Sequence, residues 1–329
     1  MGKKPEYVVG IDTGGTYTDA ALLDYRSRNV FAFSKTLTTR DDLTRGITKA
    51  LKDLHIENAD SVRLVGISST LATNSIAEGK ERQAGLILIG YDRDLIAAYD
   101  LAAKFPTSHW AHFKGGHTTQ GLEKQPLDLA SIREWVRLNS AKVDALAISS
   151  YFSPLNPSHE EGALAAVRQT CSLPAVLGHQ LSTKLDSIKR ATTACLNASL
   201  VAVMQEFIEA VRVSLKNRGI YAPLMIVKGD GSLMPASEAI HKPVETVLSG
   251  PAASAIGGRF LSGQGNALVI DVGGTTTDMA LMDDFKMTIS EDGARVGMFE
   301  TAVKAARIRT TGLGGDSRIS IDTGGTVRV

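Results

Sequence analysis

Sulfur and charge imbalance are both scarce in this sequence, and so are aromatic rings. Two cysteines in 329 residues leave no basis for a disulfide framework or a thiolate metal site. Cys171 and Cys195 lie in helical or apolar surroundings, so both are expected as buried free thiols. Lys and Arg number 36 against 35 Asp and Glu. That balance lacks the basic excess of a phosphate-backbone binder, and no nucleic-acid partner is expected. No uninterrupted run of ~18 apolar residues stands out as a membrane span, and MGKKPEYVVGIDTGG lacks the apolar centre of a secretory leader. The expectation is a cytoplasmic protein with no membrane partner.

What is present suits a folding chain of two domains, with 43% hydrophobic and 22% charged residues. Tyr7 to Ile11 is a β-branched run that ends in Asp-Thr-Gly-Gly-Thr, and Tyr17 to Leu23 reads as the returning strand. Helical spacing over Asp41 to Leu54 is followed by apolar strands at Val62 to Ser68 and Ala84 to Ile89, with a helix between them at Thr70 to Glu78. A further helix at Asp128 to Leu138 and a strand at Asp144 to Ser149 continue the alternation. The class is therefore α/β. Ser187 to Arg218 contains neither Gly nor Pro and spaces Leu196, Leu200, Val203, Phe207, Val211 and Leu215 as a helix does. We read it as a bridge between a first lobe at 1–185 and a second at 186–329. Pro251 to Leu261 reads as a small-residue helix leading into a strand at Ala267 to Asp271.

One segment occurs twice. Ile11 to Asp24 is IDTGGTYTDAALLD and Ile270 to Asp283 is IDVGGTTTDMALMD, identical at ten of fourteen positions. The wide separation suggests two related lobes facing each other across a cleft. Gly14, Gly15, Gly273 and Gly274 remove the side chains that would hold a polyphosphate away from backbone N–H donors. Thr16, Thr18, Thr275 and Thr276 are candidate hydroxyl donors. Asp12 and Asp271, at strand ends, are the candidate catalytic and metal residues, suited to holding Mg²⁺ through its waters. A third copy, IDTGGT at Ile321 to Thr326, has no TD or apolar strand after it. It is expected to be a hairpin turn using Asp322, Gly324 and Gly325.

These motifs resemble those of the actin-like ATPase superfamily, in which GIDTGGTYTD and VIDVGGTTTD stand as first and second phosphate motifs. SGPAASAIGG (249–258) resembles its connecting helix, and TGLGGDSR (311–318) a Gly-rich turn that opens the next helix. Within it the chain is most similar to the hydantoinase A and 5-oxoprolinase family, whose blocks ISSTLATNSIAEGK, KRATTACLNASLVAVM, MIVKGDGSLMPASEA and LSGPAAS occur here in order. Many members have His-Gly-Thr-Thr where this chain has Ser68-Ser69-Thr70-Leu71. Members generally continue past this point to an adenosine motif, so the second lobe is expected to be truncated. The resemblance implies two actin-like lobes, ATP and Mg²⁺ as cofactors, a small-molecule cyclic amide opened by phosphorylation, and a second hydantoinase subunit as partner. Two other functions share the motifs: an activator ATPase driven by a protein partner, and a subunit of an ATP-dependent ketone carboxylase.

Three further candidates remain. Thr70, Thr73 and Asn74 either line a substrate pocket or belong to a helix N-terminus capped by Ser68, Ser69 or Thr70. His109, His112 and His117 fit no zinc spacing, but His117, after Gly115-Gly116, is a candidate substrate contact or proton shuttle. Lys228, Asp230 and Ser232 read equally as a turn or a binding loop.

Overall fold

The computed structural model describes residues 5–39, 43–79, 81–274, 276–322 and 324–328. Strand β1 (Tyr7–Thr13) ends at Gly14, whose N–H donates to Tyr17 O at 2.9 Å and turns the chain into the antiparallel β2 (Tyr17–Asp24), followed by β3 (Val30–Leu37). Helix α1 (Leu43–Asp53) carries the chain back across the sheet, burying Ile47, Ala50 and Leu51. The crossover makes β4 (Val62–Ser69) parallel to β1, and α2 (Leu71–Ala77) follows it.

A separate sheet comes next. It contains β5 (Ala84–Ile89), β6 (Trp110–Phe113), β7 (Ala145–Ser150) and β8 (Ala175–Leu177), all parallel in the order β6-β5-β7-β8. Helices α3 (Arg93–Ala98), α4 (Leu129–Asn139) and α5 (Ser158–Thr170) make the crossovers. β5 and β7 are buried along their whole length, as strands covered on both faces must be.

Helix α6 (Ser187–Lys216) starts at Asp186, which accepts from Lys189 N. By length and composition it is apolar enough to cross a membrane. Here its two halves are covered by different sheets: Ala191, Ala194, Cys195 and Ala198 pack into the core around β5 and β7, and Phe207, Ile208, Val211 and Leu215 into the core of the first sheet with α1. The small residues of the first half let the helix lie close to the all-parallel sheet. Cys195 is buried and Cys171 half-buried, both as free thiols.

The chain then re-enters the first sheet through β9 (Leu224–Val227), parallel to β4, and β10 (Leu233–Pro235), giving the order β10-β9-β4-β1-β2-β3, with α7 (Ala236–His241) after it. The sheets thus divide elsewhere than at the 185/186 boundary read from sequence. Residues 84–177 make the second sheet, and residues 224–235 complete the first. Sequence periodicity identifies strands, but which strand pairs with which is a long-range choice.

Helix α8 (Ser249–Ser262) leads into the third sheet, formed by β11 (Ala267–Val272), β12 (Thr277–Asp283) and β13 (Lys286–Met287). Gly258 lies against Val269 of β11, with room for no side chain there. Short strands β14 (Ile289–Ser290), β15 (Arg295–Val296), β16 (Phe299–Glu300) and β17 (Ala305–Ala306) pair among themselves, and β18 (Ile308–Thr311) returns to β12. β19 (Ser320–Ile321) and β20 (Val327–Arg328) form the hairpin expected from the third IDTGGT: Asp322 Oδ1 accepts from Gly324 N and Thr326 N, each at 3.0 Å.

Candidate functional site

The duplicated segments fold into duplicated turns. Gly14 N donates to Tyr17 O at 2.9 Å, and Gly273 N to Thr276 O at 2.8 Å. A Cβ on Gly14 or on Gly273 would lie 3.1 Å from that same accepting oxygen. In both copies the register sets two aspartates opposite one another, Asp12 with Asp19 and Asp271 with Asp278.

A buried threonine ties each turn to its neighbour. Thr18 Oγ1 lies 3.0 Å from Thr38 Oγ1, which donates to Gly14 O at 2.9 Å. Its counterpart Thr277 donates to Leu313 O at 2.5 Å, while Gly315 N and Asp316 N donate to Gly273 O and Gly274 O. The Gly-rich turn 311–318 therefore closes against the second motif; strand β19, not a helix, follows it among the described residues. Thr18, expected as a donor to a ligand, is instead 1% exposed and serves the turn itself. Thr16 is exposed and Thr276 half-buried; Thr275 lies outside the described residues.

The acids of the two copies act on one another electrostatically. The Ser68 hydroxyl donates to Asp12 Oδ1 at 2.6 Å. Burial raises the proton affinity of Asp12; the Ser68 bond opposes this, and the charges of Asp19 and Asp271 add to it. Asp278 is raised as well, by burial and by Asp271, against the pull of the Thr310 hydroxyl. Carboxylates that repel one another at a strand end are suited to a cation between them.

Beside the first turn lies a cavity of about 200 Å³ lined by Thr13, Gly14, Gly15, Thr70, Asn74 and Glu78, among others. Thr13 Oγ1 is buried there without a hydrogen-bond partner. An orphaned hydroxyl beside two glycines fits a site that takes a polar ligand. The reading of the α2 start also resolves. Ser69 Oγ accepts from Leu71 N and supports the helix, Ser68 serves Asp12, and Thr70 makes no cap bond. Thr70 instead accepts from Asn74 Nδ2 at 3.0 Å on the cavity wall. An orphaned hydroxyl beside one glycine turn and repelling carboxylates at the strand ends together fit a nucleoside triphosphate with a divalent cation.

His117 is not part of this site. It is 2% exposed in the all-parallel-sheet region, its ring 4.3 Å from that of His159, with Nε2 3.2 Å from Ser158 Oγ. The sequence expectation for His117 is a substrate contact or proton shuttle; the glycines before it pack closely, a Cβ on Gly90 falling 2.6 Å from Gly116 Cα. No cluster of three or more potential metal ligands occurs among the described residues. Lys228 pairs with Glu245 at 2.8 Å and Asp230 at 3.6 Å, in a turn closed by Lys228 N donating to Ser232 O. Sequence reasoning missed Thr38, Thr310 and the partnership of Ser68 with Asp12; none carries a local signal, since each is defined by pairing between strands.

Comparison with known proteins agrees with this geometry. A model described as the hydantoinase/oxoprolinase N-terminal region matches residues 8–171, and one described as hydantoinase/oxoprolinase matches residues 190–329. The chain belongs to the hydantoinase/oxoprolinase family. Caprolactamase subunit alpha of Pseudomonas jessenii is 29% identical across 99% of this chain and 50% of its own length. Acetophenone carboxylase gamma subunit of Aromatoleum aromaticum is 25% identical across 97% of this chain and 48% of its own. Among solved structures, nucleotide-free acetone carboxylase superposes with a TM-score of 0.83 at 20% identity, over 99% of this chain and 51% of that one. The ATP-dependent caprolactamase of Pseudomonas jessenii superposes at 0.78 with 26% identity, over 97% and 50%. These likenesses agree with the two-lobed ATPase-like α/β fold expected from sequence. The chain spans about half the length of the relatives it matches.

Proposed function

We propose that this member of the hydantoinase/oxoprolinase family binds ATP between its two glycine turns and belongs to an enzyme that uses it to open a cyclic amide in the cytoplasm. The observation that carries the reading is that the charge of Asp271 acts on Asp12, which supports the two phosphate-type turns sharing one site. Gly14, Gly15, Gly273 and Gly274 would hold the phosphates, and Asp12 and Asp271 a Mg²⁺ ion. Bound ATP and Mg²⁺ supply a phosphoryl group and neutralise its charge, which turns a poor amide oxygen into a leaving group.

The cavity at Thr70 and Asn74 adjoins the first turn and supports a small acceptor there. A cyclic amide presents one N–H and one C=O, which an Asn side chain and a Thr hydroxyl can pair. The caprolactamase relative supports the amide reading, and its description as a subunit supports a second subunit as partner. The carboxylase relatives support a second reading, ketone activation for carboxylation.

Phosphate release by the full-length protein with its partner is the test. Stimulation by a hydantoin, 5-oxoproline or a larger lactam supports the first reading, and stimulation only by a ketone with bicarbonate supports the second. Absence of Mg²⁺-ATP binding to residues 1–329 in calorimetry overturns both.

A further inference from the structure

A second cleft, of about 320 Å³, lies where the loop after β8, the turn after β9 and residues 302–304 meet. We propose that it is a site for a doubly charged small oxyanion, a phosphorylated or dicarboxylate compound, with His179 in its wall. The inference does not rest on nucleotide binding at the glycine turns.

The first support is a dyad. Glu160, on α5, is completely buried, and its Oε2 lies 2.6 Å from His179 Nδ1 while also accepting from His179 N at 2.9 Å. The buried carboxylate fixes the Nδ1–H tautomer and orients the ring. Nε2 meets no protein partner among the described residues, and His179 lines the cleft. Nε2 is therefore the ring atom left to meet a ligand or solvent, while Nδ1–H donates to Glu160.

The second support is the wall around it. Lys184, Lys228, Lys242 and Lys304 converge on the cleft. Lys228 is held by Glu245 and Asp230, and Lys304 by the exposed Glu291. Lys184 and Lys242 make no ion pair among the described residues, which leaves two cationic side chains without a carboxylate. The loop that presents His179 and Lys184 is anchored from inside: Arg190, completely buried, donates through Nη1 to Lys184 O and through Nη2 to Ser150 O, and Glu160 Oε1 accepts from Ser150 N. Two buried side chains of opposite formal charge thus grip the backbone of Ser150 from both sides and hold a surface loop in place. Burying them is costly, and packing alone does not require it.

The third support is position. β8 and β9 belong to different sheets, yet both deliver their C-terminal ends here, the end of a parallel strand at which α/β ligand sites form. Ile67 pairs Ile226 and Thr13 pairs Ser69. Continuing that register puts Lys228 level with Thr13 two strands away, roughly 10 Å at the usual strand spacing.

Histidine Cε1–H NMR of residues 1–329, titrated with inorganic phosphate and separately with malonate, tests the site. A saturable shift of the resonance that His179→Gln removes is expected with at least one dianion; phosphate alone would select a phosphorylated ligand and malonate alone a dicarboxylate. Affinity should fall at least tenfold in Lys184→Met/Lys242→Met with the melting temperature unchanged. Neither dianion moving the resonance, or equal affinity in the lysine variant, would overturn the proposal. Both readouts are independent of ATP, so they separate this inference from the nucleotide reading.

Discussion

The Asp271 carboxylate, at the end of β11, raises the proton affinity of Asp12 at the end of β1, so the acids of the two copies of the repeated segment act on one another. Neither charge has a lysine or arginine between it and the other among the ion pairs of the described residues. Lys35 acts on Asp12 in the opposite sense, and it is already held by Asp19 at 2.9 Å. A divalent ion would relieve that repulsion.

Asp12→Asn and Asp271→Asn should each lower Mg²⁺-dependent ATP turnover of the full-length protein by at least ~10²-fold, the scale of losing a metal-holding carboxylate. Asp12→Asn removes a desolvated charge and should leave the melting temperature equal or higher. Unchanged kinetics in either variant would show that the acid is not at the metal.

Thr13→Val keeps the β-branched shape and deletes a buried hydroxyl that has no partner. Stability in urea should rise by about 1 kcal/mol, because an unsatisfied buried polar group is removed. ATP affinity should fall about tenfold, for loss of one hydrogen bond. A fall in both quantities would mean that the hydroxyl serves the fold instead.

Gly90→Ala should destabilise the chain by about 2–4 kcal/mol in chemical denaturation. Gly90 has φ 71°, and the new methyl would meet backbone atoms of Gly115 and Gly116, which cannot rotate away. Nucleotide affinity should be unchanged, since the contact lies outside the glycine turns. A stable variant would require the two loops to part.

Burial, and then the charge of His159, lower the His117 pKa below its ordinary 6.5, with Glu123 opposing. Above pH 6.5 folded and unfolded forms are both neutral and the contribution is complete. As pH falls below that value the unfolded chain takes up a proton that the folded one resists, and stability is lost through the lowered folded pKa. Urea midpoints measured between about pH 7.5 and 5 should fall in the parent and fall less steeply in His117→Gln. Parallel slopes would show that His117 titrates normally.

Much of the site was legible in the sequence because its parts are local. A β-branched run, two glycines and a second run make a strand-turn-strand unit wherever they occur, and two copies with TD after the turn distinguish Ile11 to Asp24 and Ile270 to Asp283 from the hairpin at Ile321 to Thr326. The long helix announced itself by lacking Gly and Pro. Tertiary structure decided what depends on pairing at a distance. It moved β9 and β10 into the first sheet, since strand neighbours are chosen by register and burial rather than by order along the chain. It turned Thr18 inward to Thr38 and buried His117 against His159, because a polar side chain after glycines has the same local sequence whether it faces a ligand or a core. It brought Glu160 to His179 and Ser68 to Asp12, contacts between separate elements for which no spacing rule exists.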